Sequence, residues 1–127
     1  MRSLKSRLAA AIAVAMLCGA SVTAQAACEK GYVATFKVKA GSESTFESLL
    51  LALVARVRAT EQGNLMYEPY RGASEGEYVM MERYVDSAAR DAHGESAVIK
   101  ELFPKILPLL REPLNVVALS ALACGGK

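Results

Sequence analysis

Residues Glu77–Ser96 read EYVMMERYVDSAARDAHGES, and this stretch decides the fold. Its first half alternates. Tyr78, Met80, Glu82 and Tyr84 fall on one side of an extended strand, and Val79, Met81, Arg83 and Val85 on the other, because successive strand side chains point to opposite faces. Asp86 stands where a helix begins, and its carboxylate can satisfy the unpaired amides of a first turn. His93, the only histidine of the chain, falls about two turns into that helix. One strand end and one helix start bring a carboxylate, a phenol and an imidazole into a single neighbourhood.

Upstream, Gly31–Val38 alternates with Tyr32, Ala34, Phe36 and Val38 on one face, a first strand. Ala40-Gly41-Ser42 turns into a helix capped by Ser42 or Ser44, with Glu47 placed to close a capping box on Ser44. Phe46, Leu49, Leu50, Leu53, Val54 and Val57 recur at helical spacing and form its apolar stripe. Glu61-Gln62-Gly63 ends that helix, with Gly63 as a left-handed cap. Asn64–Arg71 is a second strand whose Pro69 belongs at an edge or bulge. Gly72–Gly76 is a turn. The helical region from Asp86 is interrupted near Gly94 and resumes to Leu110, with kinks or breaks expected at Pro104 and Pro108. Leu114–Ala123 supplies a last strand. The order is βαββαβ, an α+β ferredoxin-like sandwich.

Two helices cover only one face of a four-stranded sheet. The other face, with Val79, Met81 and Val85, needs a cover, and a second copy packed sheet to sheet is the economical one.

The first 26 residues read as a signal peptide. Arg2, Lys5 and Arg7 precede the apolar run Leu8–Ala20, which is short for a membrane span, and Ala24-Gln25-Ala26 supplies a cleavage pattern. Removing 26 of the 127 residues leaves 101, one domain over residues 27–127. That domain carries 12 basic and 13 acidic residues, so the basic balance belongs to the leader. No basic stripe with interleaved aromatics suggests a nucleic-acid partner. The expected location is periplasmic or secreted, with no membrane attachment after cleavage.

Cysteine usage agrees. Cys18 leaves with the leader, and Cys28 and Cys124 remain at opposite ends. In an oxidising compartment such a pair reads first as a disulfide. In a ferredoxin-like sheet the first and last strands are antiparallel neighbours, which brings these two cysteines together. The alternative, a metal site with His93 as third ligand, lacks the local ligand pairs of structural zinc sites.

The chain has no dinucleotide fingerprint, phosphate loop, metal-ligand cluster or nucleophile elbow. Catalysis would therefore rest on ordinary side chains, without metal or other cofactor.

The strand ending at Lys39, Gly41 before a helix with Phe46, GNLMYEPYR (63–71) and ERYVDSAARDAH (82–93) together resemble the antibiotic-biosynthesis-monooxygenase family, which includes the small quinol monooxygenases. The resemblance covers nearly all of the chain after residue 30. It implies a dimeric α+β barrel and a cofactor-free monooxygenase or oxidase that deprotonates a quinol, phenol or polyketide-like aromatic and passes an electron to dioxygen. It places His93 at the family's histidine, as base, and Asn64 at a polar pocket position. Tyr67 and Tyr84 match aromatic positions that wall the substrate, with Glu82 and Phe36 also assigned to substrate binding. Residue by residue, other roles stay open: a structurally bonded histidine, Asn64 serving the turn, core tyrosines, and Glu82 either fixing the His93 tautomer or forming an ion pair. Two departures stand out. Many members carry a second histidine where this chain has Val98, and the absence of tryptophan disfavours the haem-degrading chemistry of relatives. Other functions compatible with the fold are a non-catalytic binder of small aromatics and an isomerase or lyase on a small carbonyl compound.

Overall fold

The computed structural model describes residues 28–122 and 124, so the expected leader, with Cys18, lies outside the described residues. Strand β1 is Lys30–Lys37, helix α1 Glu43–Thr60, β2 Asn64–Arg71, β3 Glu77–Tyr84, α2 Ser87–Gly94, α3 Ala97–Ile106 and β4 Asn115–Ser120, with a 3-10 turn at Leu107–Leu109. The strands form one antiparallel sheet in the order β2-β3-β1-β4. This is the ferredoxin-like α+β fold.

The apolar stripe of α1 is buried at Phe46, Leu50, Leu53, Val54 and Val57. It packs with Ala34, Phe36, Val38 and Met80 of the sheet side and Val98, Leu102 and Ile106 of α3 in one core. Its start departs from expectation. Ser42 is the cap residue but makes no side-chain cap bond. Glu47 does not close a capping box. Arg71 donates to its two oxygens at 3.0 and 2.9 Å, and the Tyr78 hydroxyl at 2.7 Å. A two-pronged guanidinium and a phenol outcompete one backbone amide, since charge-assisted bidentate bonds are the stronger ones.

Strand β2 lies at the sheet edge, which accommodates Pro69, and a bulge interrupts its register between Asn64 and Met66. In the turn to β3, Gly76 has φ 70°, a left-handed geometry that favours glycine. Asp86 caps α2 by accepting from the Ala89 amide at 2.8 Å, and Ser96 caps α3 through Ile99. The prolines act less disruptively than expected. Helix α3 continues through Pro104 to Ile106. Pro108 falls in the first positions of the 3-10 turn, where a missing amide costs little.

Among the described residues, none covers the face of the sheet opposite the helices. Met81, Val85, Val117 and Leu119 are 38–49% exposed, and every residue of β4 is exposed. Cys28 and Cys124 are bridged, with Cα atoms 5.5 Å apart, because the β1–β4 register pairs Lys30 with Ser120 beside them. Among the described residues no helix is long and apolar enough to cross a membrane.

Candidate functional site

Helix α2 is the element that builds the site, and its placement depends on Gly63. A Cβ at Gly63 would lie 2.5 Å from the Ala89 Cβ, so only glycine lets α2 sit this close to the start of β2. Gly63 is therefore not the expected left-handed helix cap. Positive φ occurs at Gly41 and Gly76 instead, and α1 is closed by Glu61, whose amide donates to Val57. The reason for glycine here is close approach of two elements.

With α2 seated, His93 faces inward at 4% exposure. Its Nδ1 lies 2.7 Å from a carboxylate oxygen of Glu61, whose side chain is 13% exposed. The other Glu61 oxygen is buried without a hydrogen-bond partner. Tyr67 and Tyr84 lie against the imidazole with ring centroids 5.2 and 5.5 Å away. Glu82, also buried, accepts from the Tyr84 hydroxyl at 2.8 Å. Arg90, one turn before His93, lies 3.8 Å from the same Glu82 oxygen, and its guanidinium covers the Tyr32 ring at 4.9 Å.

The electrostatics fix the state of the two phenols. Burial, followed by the negative charge of Glu82, pushes Tyr67 and Tyr84 far above the ordinary phenol range. Both are neutral donors near neutral pH and cannot serve as bases.

His93 and Glu61 also line a groove of about 600 Å³ between the end of α1, the start of β2 and α2, shared with Arg56, Gln62, Asn64 and Val98. Its volume is in the range of small-molecule sites. Neither Tyr67, Tyr84 nor Glu82 lines this groove; the two tyrosine rings support the imidazole from behind, and Glu82 bonds to Tyr84. Asn64 lines it while its amide donates to the Met66 carbonyl at 3.1 Å, steadying the bulge, so it serves the local turn as well as the wall. Phe36 is not brought to the site. It packs in the core against Phe46 at 5.3 Å, and Tyr32 is the β1 aromatic beside Tyr84. A smaller hollow of about 180 Å³ between α1 and β2 contains Glu47, Arg71 and Tyr78, already bonded to one another. Among the described residues no cluster of His, Cys, Asp and Glu could hold a metal ion.

Glu61 and Arg90 were not legible as site residues. The one available signal for Glu61 is its sign, because an acid at a helix C-terminus opposes the helix dipole and needs a reason from elsewhere. Arg90 could have been noticed from its spacing of three before His93, which puts both on one helix face. Glu82 does not fix the His93 tautomer, since Glu61 is the carboxylate bonded to His93; of its two expected roles the ion pair is the one present, with Arg90 at 3.8 Å.

The model of the family described as "Antibiotic biosynthesis monooxygenase" matches residues 31–105. YcnE of Bacillus subtilis, named as a candidate monooxygenase, is 36% identical over 85 residues, covering 66% of this chain and 88% of its own. Rv0793 of Mycobacterium tuberculosis, similarly named, is 32% identical over 90 residues, covering 71% and 88%. The solved structure of Rv0793 superposes with a TM-score of 0.70 at 30% identity, covering 74% of this chain and 95% of that one. A Caulobacter crescentus structure, titled as a candidate antibiotic biosynthesis monooxygenase, gives a TM-score of 0.73 at 31% identity, covering 76% and 92%.

Proposed function

We propose, for a chain that belongs to the antibiotic biosynthesis monooxygenase family, that the groove over His93 is the active site of an exported oxygenase. It works without a bound cofactor on a small quinol, phenol or polyketide-like aromatic. The observation that carries this reading is the Glu61–His93 pair, a half-buried carboxylate 2.7 Å from the Nδ1 of a buried imidazole that borders the groove.

The chemistry follows from that pair. When Nδ1–H donates to the Glu61 carboxylate, Nε2 holds the lone pair and can take a proton from the substrate hydroxyl. The carboxylate then stabilises the imidazolium that forms, as it does in hydrolytic triads. The resulting phenolate passes one electron to dioxygen. Recombination of the substrate radical with superoxide places one oxygen atom on the ring, and the other leaves as water. A phenol unsubstituted opposite its hydroxyl ends as the quinone. Asn64, on the groove wall, supplies an amide to the developing oxyanion.

In this proposal a second copy covers the helix-free face with Met81, Val85, Val117 and Leu119. The Cys28–Cys124 bridge supports export to an oxidising compartment.

A second reading, an isomerase or lyase on a small carbonyl compound, is favoured by a groove that has no Phe or Tyr in its wall and offers Arg56, Gln62 and Asn64 as polar groups among alanines and Val98. Oxygen uptake with a panel of quinols and phenols decides between them. Uptake that depends on His93 supports the oxygenase. Solvent-proton exchange into a carbonyl compound without oxygen consumption supports the alternative.

A further inference from the structure

The buried carboxylate of Glu82 takes no part in the groove chemistry, yet burying a charge is costly unless it is well paired. Its hydrogen bond comes from the Tyr84 hydroxyl, 2.8 Å away. Arg90 does not clamp it. The nearest guanidinium nitrogen, Nε, is 3.8 Å from Glu82 and is itself buried without a hydrogen-bond partner. The Arg90 charge lies instead over two rings, 4.9 Å from the centre of Tyr32 and 5.8 Å from that of Tyr84.

The rings also form a series. His93 and Tyr84 are 5.5 Å apart between centroids, and Tyr84 and Tyr32 are 6.1 Å apart. The series runs from the groove's imidazole, through a fully buried phenol, to the half-buried Tyr32 on β1. The β1–β3 register enforces this arrangement by pairing Tyr32 with Glu82 and Lys30 with Tyr84.

We propose that Tyr84 and Glu82 form a proton-coupled one-electron relay, which reduces a strong one-electron oxidant arising at the imidazole end and is refilled through Tyr32. In the first step an electron leaves Tyr84 for an oxidant of the aryloxyl or oxygen-radical class. The Tyr84 O–H bond breaks, and its proton moves along the 2.8 Å hydrogen bond to Glu82. The products are a neutral Tyr84 radical, a Glu82 carboxylic acid and an oxidant reduced by one electron. In the second step Tyr32 returns the electron and releases its phenolic proton to water, while the Glu82 proton goes back to Tyr84. A soluble one-electron reductant of the ascorbate class then gives an electron to the Tyr32 radical, which takes a proton back from water.

Two features make the proton transfer obligatory and local. The Arg90 cation beside both rings disfavours a radical cation on either, so an electron departs only with a proton. The neutral carboxyl that results is also better tolerated in a buried site than the carboxylate it replaces. Tyr78 and Glu47 provide an internal comparison. Their bond is 2.7 Å, but Glu47 also accepts two bonds from Arg71, at 3.0 and 2.9 Å, which hold it as a carboxylate. The relay does not depend on what the groove binds. Its use, draining stray radicals from an oxygen-activating site, rests on the oxygenase reading.

Flash photo-oxidation by a ruthenium polypyridyl with persulfate as electron acceptor tests the relay, read as tyrosyl radical by EPR and transient absorption with ascorbate present. Tyr32→Phe closes the exit and should gain a slowly decaying tyrosyl component that ascorbate does not reach. Adding Tyr84→Phe, or the near-isosteric Glu82→Gln, should remove that component, while adding Tyr78→Phe should leave it. Circular dichroism establishes that each variant is folded. The proposal is overturned if Tyr32→Phe gains no slow component, or if that component survives in Tyr84→Phe or Glu82→Gln.

Discussion

His93 and Glu61, 32 positions apart, meet in a 2.7 Å contact between Nδ1 and a carboxylate oxygen. One comes from the last turn of α2, the other from the residue that closes α1. If this pair is the proton acceptor, His93→Ala should lower oxygen-dependent turnover by roughly 100-fold or more, the usual scale for a lost general base. Glu61→Gln keeps the size of the side chain but removes its charge, and should cost about 10-fold to 100-fold on the same scale. Asn64→Ala should lower turnover by less than His93→Ala, because an amide can steady an oxyanion but takes no proton. Wild-type rates in all three variants would show that the groove is not the active site.

Gly63→Ala should destabilise the protein by about 1–3 kcal/mol, the usual cost of overpacking, because the new methyl meets Ala89 at 2.5 Å. Ala89→Gly alone should cost about 1 kcal/mol as a helix substitution. The double variant should be more stable than the sum of the two single changes, since space is returned at the same contact. Denaturant midpoints of all four proteins test this, and strict additivity would contradict the close approach.

Light scattering at micromolar concentration should report twice the mass of a single chain. Met81, 39% exposed on the helix-free face, sits among other apolar residues there. Met81→Lys should give monomer or aggregate, because a charge in an apolar interface is costly. An unchanged dimer would move the interface elsewhere.

Reduction of the Cys28–Cys124 bridge should lower thermal stability. The bridge spans a sequence separation of 96, and a loop of that length is worth roughly 4–5 kcal/mol by chain entropy. Purified protein should resist thiol alkylation until reduced. Two alkylatable cysteines in unreduced protein would exclude the bridge in solution.

Alkaline pH should destabilise the fold through its buried tyrosines. Burial above all holds Tyr67 and Tyr84 neutral, raising them beyond their unfolded range, and it pushes Tyr78 up to about 12. For an acid raised on folding, the stabilising contribution is complete below the unfolded value. It is lost as pH rises above about 10, where unfolded tyrosines ionise and the buried ones cannot. The urea midpoint should therefore fall from about pH 10 upward, with a shallower fall in Tyr67→Phe. Equal slopes in the two proteins would mean that Tyr67 ionises while folded.

Much of the architecture was local information. Alternation in Glu77–Tyr84 set which strand face is buried: Tyr78, Met80, Glu82 and Tyr84 are inside, and Met81 and Arg83 outside. The stripe from Phe46 to Val57, Asp86 as helix cap and Pro69 at an edge likewise express backbone and side-chain preferences that act within a few residues. The strand order followed once the elements were in sequence, and the pairing of Cys28 with Cys124 followed from that order.

Other features required distant segments to meet. Glu61 reads as the polar end of a helix until α2 folds back and brings His93 to it. Glu47 reads as a capping residue until β2 and β3 present Arg71 and Tyr78. Gly63 reads as a conformational glycine, but its need is set by the methyl of Ala89. Phe36 and Tyr32 share an alternating face, and only the register showed that Tyr32, opposite Glu82, joins the polar cluster while Phe36 joins the core. Sequence periodicity records which side of an element is buried. It does not record which partner lies across the gap, because that depends on the separation and registry of elements that are far apart in the chain.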